Sequence, residues 1–110
     1  MSEIAWAGGF FEGEGCWGLN RGVPVARITQ VDREPLERFR QAVGMGKVYG
    51  PYGPYRGQKS QIFSYDVSGE ARIEKLLSVL RPWLCSRRIQ RAEDTLRCAR
   101  DGWLILPKLR

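Results

Sequence analysis

Histidine is absent from this sequence of 110 residues. With it go the Ser-His-Asp triad, the Cys-His pair, the HEXXH zinc site and every histidine-based nuclease, since each needs an imidazole to move a proton near neutrality or to hold a metal. Cysteine is scarce and scattered. Cys16, Cys85 and Cys98 form no C-x-x-C pair, which argues against a disulfide framework or a structural zinc, and they are expected to pack as small hydrophobes. No G-x-x-x-x-G-K-[ST] loop occurs, so no nucleotide cofactor is expected. No apolar run approaches the roughly 20 residues that cross a bilayer, and the N-terminus lacks the basic-then-apolar layout of a signal peptide. The expectation is an intracellular, soluble protein without a membrane partner, cytoplasmic, nucleoid-associated or in an organelle.

Acidic residues are in deficit as well. Eighteen Lys and Arg against twelve Asp and Glu leave a formal charge of +6, an excess that suits a polyanionic partner. Its distribution sharpens the point. No acid lies between Arg38 and Tyr65, a stretch holding Arg38, Arg40, Lys47, Arg56, Lys59 and four tyrosines. From Arg81 to Arg110 there are eight basic residues against three acids. If such a chain hydrolyses anything, its water must be activated by metal-bound carboxylates or supplied through a partner.

Residues 4 to 15 supply carboxylates in an unusual setting. Ile4-Ala5-Trp6-Ala7-Gly8-Gly9-Phe10-Phe11-Glu12-Gly13-Glu14-Gly15 is an apolar helix-length run interrupted by glycines. Each glycine within a helix costs roughly 0.5 to 1 kcal/mol relative to alanine, so close backbone approach is the expected compensation. Trp6, Gly9, Phe10 and Gly13 share one helical face, while Ile4, Ala7, Gly8 and Phe11 share another. A helix apolar on two faces is expected to be buried on two sides.

The rest of the chain reads as one domain, residues 1–110. The first helix is predicted from Ser2, its N-cap, to Glu12 or Gly13. A hairpin follows, with strands Cys16–Arg21 and Val25–Gln30 and a turn flanked by Gly22 and Pro24. Asp32 is expected to cap a second helix carrying Leu36, Phe39 and Val43, which Gly44 ends. A third strand, Gly46–Gly50, leads through an irregular loop, 51–57, to a fourth in which Phe63, Tyr65 and Val67 alternate with polar residues. Ser68 and Ser86 are expected to cap two further helices, the last ending near Gly102, with the apolar tail Trp103–Pro107 folding back on the domain. Asn20, Arg27, Thr29, Lys47, Tyr49, Ser64 and Asp66 are predicted to point away from the apolar strand face, where side chains can read base edges. The fold class is therefore α+β, a four-stranded antiparallel sheet with helices on one face.

Ala7-Gly8-Gly9-Phe10-Phe11-Glu12-Gly13-Glu14-Gly15 resembles, in register, the nine-residue motif of the LAGLIDADG homing endonucleases. Small residues hold its second, third and seventh places and acids its sixth and eighth. Alanine stands in place of the leading leucine, and both acids are glutamate. The αββαββα order, with an additional C-terminal helix, is also that family's layout, so the resemblance extends over residues 4 to about 100. It implies a saddle-shaped sheet whose open side lies in the major groove of DNA.

The resemblance also implies site residues. Glu14, the eighth motif position, would ligate Mg²⁺ or a similar cation at the scissile phosphate beside its symmetry mate, with Gly15 next to it in the metal site. Glu12 would organise the helix pair or cap a partner. Gln30, in Thr29-Gln30, and Arg87, shortly after the third helix, would arrange water and phosphate. Arg56, Lys59 and Arg88 join the outward strand residues as DNA contacts. One copy of the motif implies a homodimer built on Trp6, Gly9, Phe10 and Gly13, where glycines let two backbones touch. The function expected is a site-specific double-strand DNA endonuclease with an approximately palindromic target. The alternative is a catalytically inactive DNA- or RNA-binding protein of the same fold, an intron splicing cofactor or a regulator.

Overall fold

The computed structural model describes residues 2–101. Its elements run α1 (Glu3–Glu14), β1 (Gly15–Asn20), β2 (Val23–Gln30), α2 (Glu34–Val43), β3 (Lys47–Tyr52), β4 (Ile62–Ser68), α3 (Glu70–Leu80), a 3₁₀ turn (Arg81–Trp83) and α4 (Ser86–Arg100). The α+β class and the αββαββα order with its extra helix are as the sequence predicts. The apolar tail expected to fold back lies outside the described residues.

All strand pairings are antiparallel, in the order β1-β2-β4-β3, so two hairpins join through their second strands. The first hairpin turns on Arg21 and Gly22, both at positive φ (53° and 82°), which is the two-residue geometry that matches strand twist. Pro24 is thus not beside the turn but inside β2, opposite Leu19. β3 also exceeds its expected length. It passes through a register shift between Tyr49 and Tyr52 before pairing again with Ile62.

One face of the sheet carries Trp17, Ala26, Ile28, Tyr65 and Val67, all buried beneath the helices. Ala7 and Phe11 of α1, Leu36 and Phe39 of α2, Ile73, Leu76, Leu77 and Leu80 of α3, and Ala92 and Leu96 of α4 complete the core. Aromatic rings bind the layers. Phe11 lies 4.6 Å from Trp17 and 6.0 Å from Phe39, whose ring meets Tyr65 edge-on at 4.9 Å. Burial pushes the Tyr65 phenol well above its usual range, and its O–H donates to the Met45 carbonyl at 2.8 Å.

Helix starts depart from expectation. Ser2 caps α1 as predicted, its Oγ accepting from Ala5 N–H at 3.0 Å. Asp32 does not cap α2, because Arg33 occupies that position and its side chain turns instead to Glu37. Ser68 does not cap α3: it is held in the ladder opposite Val25, and Gly69, at φ 108°, makes the turn. Ser86 is already inside α4, whose N-cap is Cys85. There the Cys85 N–H donates to Glu12 Oε1 at 3.0 Å, so a carboxylate of α1 sits at the start of α4. α4 ends at Arg100, ahead of the expected Gly102.

The glycines of α1 divide into two kinds. A Cβ on Gly8 would stand 2.5 Å from the Trp83 Cβ, so the close approach here is to the chain's own 3₁₀ turn. A Cβ on Gly9 or Gly13 would meet nothing within 4 Å, and both residues are exposed. Ala7, Gly8 and Phe11 of one apolar face are thus buried within the chain, while the other face has Trp6 and Phe10 half-buried and Gly9 and Gly13 open.

Gly8→Ala is expected to lower the unfolding free energy by about 1–3 kcal/mol, the usual penalty for overpacking, in urea denaturation followed by tryptophan fluorescence. The cysteines also differ from expectation, since Cys16 and Cys85 are exposed and Cys98 alone is buried. Ellman's reagent should therefore titrate Cys16 and Cys85 in the native protein and Cys98 only after unfolding.

Candidate functional site

The end of α1 brings two of the expected site residues together. Gln30, the last residue of β2, donates from Nε2 to Glu14 Oε1 at 3.0 Å. Glu14 is exposed, and its second carboxylate oxygen has no protein partner among the described residues. That leaves one carboxylate oxygen open at the helix end, with an amide fixing its companion.

Glu12 diverges from Glu14 and faces α4. The Cys85 backbone N–H, chiefly, with the Cys85 side chain and then Arg88 and Arg87, holds its carboxyl below the usual carboxylate range. Arg88 Nε stands 3.9 Å from Glu12 Oε1, and Arg88 Nη1 donates to the Gly15 carbonyl. Arg88, expected as a DNA contact, thus sits half-buried against the motif, and the Gly15 carbonyl, expected in the metal site, is engaged by it. Arg87 is exposed and makes no hydrogen bond to Glu14 among the described residues. It lines instead, with Arg88, Arg91, Cys16 and Trp17, an open pocket of about 340 Å³ where α4 passes the β1 edge of the sheet. Arg91 and Cys16 were not singled out from sequence. The helical spacing Arg87, Arg88, Arg91 was the available signal.

The uncovered sheet face carries the outward residues in cross-strand rows. Cys16, Arg27, Asp66 and Lys47 stand opposite one another in turn, and Thr29, Ser64 and Tyr49 form the next row. Arg27, Thr29, Lys47, Tyr49 and Asn20 are exposed, as are Arg56 and Lys59 in the loop beyond β3. Ser64 departs from the pattern. It is only 7% exposed, its Oγ donating to Asp66 Oδ2 at 3.1 Å under cover of its neighbours. Arg27 Nε pairs with Asp66 Oδ1 at 2.5 Å, which holds the guanidinium more firmly charged.

Trp6 and Phe10 stack at 5.0 Å and, with Ala5, Gly9 and Trp83, line an open apolar hollow of about 650 Å³ on the outer face of α1. Arg38 lies over the Trp6 ring at 4.0 Å and pairs with Glu3. The glycines of this face and the motif carboxylate occupy the same helix.

No family model matches the chain, and no curated protein sequence does. Solved structures do. The homing endonuclease I-CvuI, in complex with its target and in the presence of calcium, aligns at a TM-score of 0.69 and 18% identity over 91% of this chain and 67% of that one. The homing endonuclease I-TnaI aligns at 0.66 and 20%, covering 88% and 71%. The LAGLIDADG meganuclease I-CpaMI, bound to uncleaved DNA, aligns at 0.66 and 14%, covering 92% of this chain and 39% of that one. The chain has the LAGLIDADG homing endonuclease fold. It spans about two thirds of the length of I-CvuI.

Within this fold, Glu12 links the motif helix to α4, and its depressed pKa has a definite consequence. A carboxyl whose folded pKa lies below its unfolded value of 4.5 stabilises the fold above that value and loses the contribution as pH falls through the folded pKa. Glu12→Gln should therefore be less stable than the parent at pH 7. The gap should close below pH 4.5, as read from urea midpoints across a pH series.

Proposed function

We propose that the chain is a single-motif LAGLIDADG protein that acts as a homodimeric, divalent-cation-dependent, site-specific DNA endonuclease. The observation that carries this reading is the pairing of Glu14 with Gln30 at the end of a helix whose glycine face is left open. Glycines at positions 9 and 13 forgo helix stability without any compensating contact inside the protomer. A second copy of α1 laid on that face would supply the contact and bring two Glu14 carboxylates together at the twofold axis.

The donor set suits a hard cation. Among the described residues no three Cys, Asp or Glu side chains converge, so one protomer does not make a protein cage. Magnesium does not need one. It retains waters and takes one or two carboxylates together with substrate phosphates. Glu14 from each protomer would hold it, and when bound it would lower the pKa of a water and neutralise charge developing on the phosphate. Gln30 fixes the Glu14 carboxylate through Nε2 and keeps its own carbonyl available to orient a water. Arg87 and Arg91 offer positive charge for backbone phosphates at the β1 edge. Lys47, Arg56, Lys59 and the strand residues offer phosphate and base contacts across the open face.

A second reading, binding of DNA or RNA without cleavage, draws on one contact. Arg88 occupies the Gly15 carbonyl, which lessens the ligands beside Glu14. Selection of cleaved duplexes from a random library with magnesium separates the two. The parent should cut and Glu14→Gln should fall by at least about 100-fold while still binding. Bound but uncut sequences for the parent would favour the second reading. Gly13→Leu is expected to sediment as a monomer and to lose cleavage. A Gly13→Leu protein that remains dimeric would remove the helix pair from the proposal.

A further inference from the structure

Asp66 is the sole acidic residue in the four strands, and it stands in the middle of the uncovered sheet face. On a surface proposed to meet DNA, a carboxylate repels phosphate, so its presence calls for a reason. Stability is a weak one, because exposed ion pairs contribute little. Its contacts suggest another. Oδ1 accepts from Arg27 Nε across the β2–β4 register and Oδ2 accepts from Ser64 Oγ at 3.1 Å, so both oxygens are engaged. Ser64, in turn, is buried and fixed in the strand.

A guanidinium held through Nε keeps Nη1 and Nη2 for other partners, and neither has one among the described residues. Those two nitrogens form the parallel fork that matches O6 and N7 of guanine in the major groove. Loss of rotamer freedom is already met before DNA arrives, because Asp66 and Ser64 hold the fork in place. We infer that Arg27 reads a guanine at one position in each half-site, and that Asp66, braced by Ser64, is a positioning residue rather than a base contact. This rests on the DNA-binding reading above.

The full-length chain, with calcium in place of magnesium, is used to select bound sequences from randomised duplexes. The parent should enrich guanine at one symmetric pair of positions. Arg27→Lys keeps the charge but not the fork, and should reduce that preference by roughly 5- to 150-fold with little change elsewhere. Asp66→Asn should relax the same positions, and Ser64→Ala should do so more weakly. Ser64→Ala carries the test alone if Asp66→Asn melts well below the parent. Relaxation at a different position by Asp66→Asn would make Asp66 a base reader and overturn the inference. So would a selected sequence that none of the three variants changes, with the DNA-binding reading intact. Failure of the parent to select any sequence would overturn both.

Discussion

The placement of Phe11 governs the rest of the site. Its ring is fully buried between Trp17 and Phe39, and Gly15 lies so close that a Cβ there would stand 2.4 Å from it. Burying such a ring is worth about 1.5–3 kcal/mol, enough to fix the roll of α1 about its axis. A helix turns roughly 100° per residue, so Glu12 and Glu14 leave on opposite flanks of the direction Phe11 takes into the core. One flank faces the start of α4 and the other the end of β2. The two motif acids thus acquire different tasks from one apolar anchor. Glu12 is tied to Cys85 and Arg88, and Glu14 is left with Gln30 and an open oxygen.

The same roll divides the glycines. With Phe11 inward, Gly8 is pressed against Trp83 while Gly9 and Gly13 turn outward beside Trp6 and Phe10. Charge is divided along a related line. Acids of the helical layer neutralise nearby arginines, as in Arg38 with Glu3, Arg33 and Arg40 with Glu37, Arg81 with Glu93, and Arg100 with Glu70 and Glu74. Lys47, Arg56, Lys59, Arg87 and Arg91, around the sheet, have no ion-pair partner among the described residues. Positive charge is therefore concentrated on the sheet side, since among the described residues the helical side is close to balanced.

Local pattern was enough for the order of elements and for the motif. Alternation in Phe63, Tyr65 and Val67, and the spacing of Ile73, Leu76, Leu77 and Leu80, report burial directly because each face repeats at its own period. Long-range contacts were beyond that reach. Nothing near Gly8 in sequence announces Trp83, and nothing near Cys85 announces the carboxylate of Glu12. Ser68 and Ser86 carry the right chemistry for caps, yet the β2–β4 ladder and the contact from α1 decided where α3 and α4 begin. Arg88 rather than Arg87 turns towards the motif because α4 lies along β1 with that phase, a matter of packing and not of composition. Ser64 is polar and outward, yet it is buried, with its Oγ donating to Asp66.

A single copy of the motif also bears on specificity. If two protomers meet through Gly9 and Gly13, each outward side chain is presented twice, related by the axis that relates the two Glu14 residues. Recognition and chemistry would then share one reference frame: moving α1 relative to the sheet would displace the carboxylate and leave the base-facing rows in place. Phe11 resists that movement by anchoring α1 to Trp17 on β1, and Gln30 resists it by joining Glu14 to β2. Because β2 also carries Arg27 and Thr29, the strand that steadies the carboxylate would also be the strand that faces the bases. If that face meets DNA, the distance from recognised base to scissile phosphate would be set by one strand, with only Ile28 and Thr29 between Arg27 and Gln30, a short and stiff link that loops could not provide.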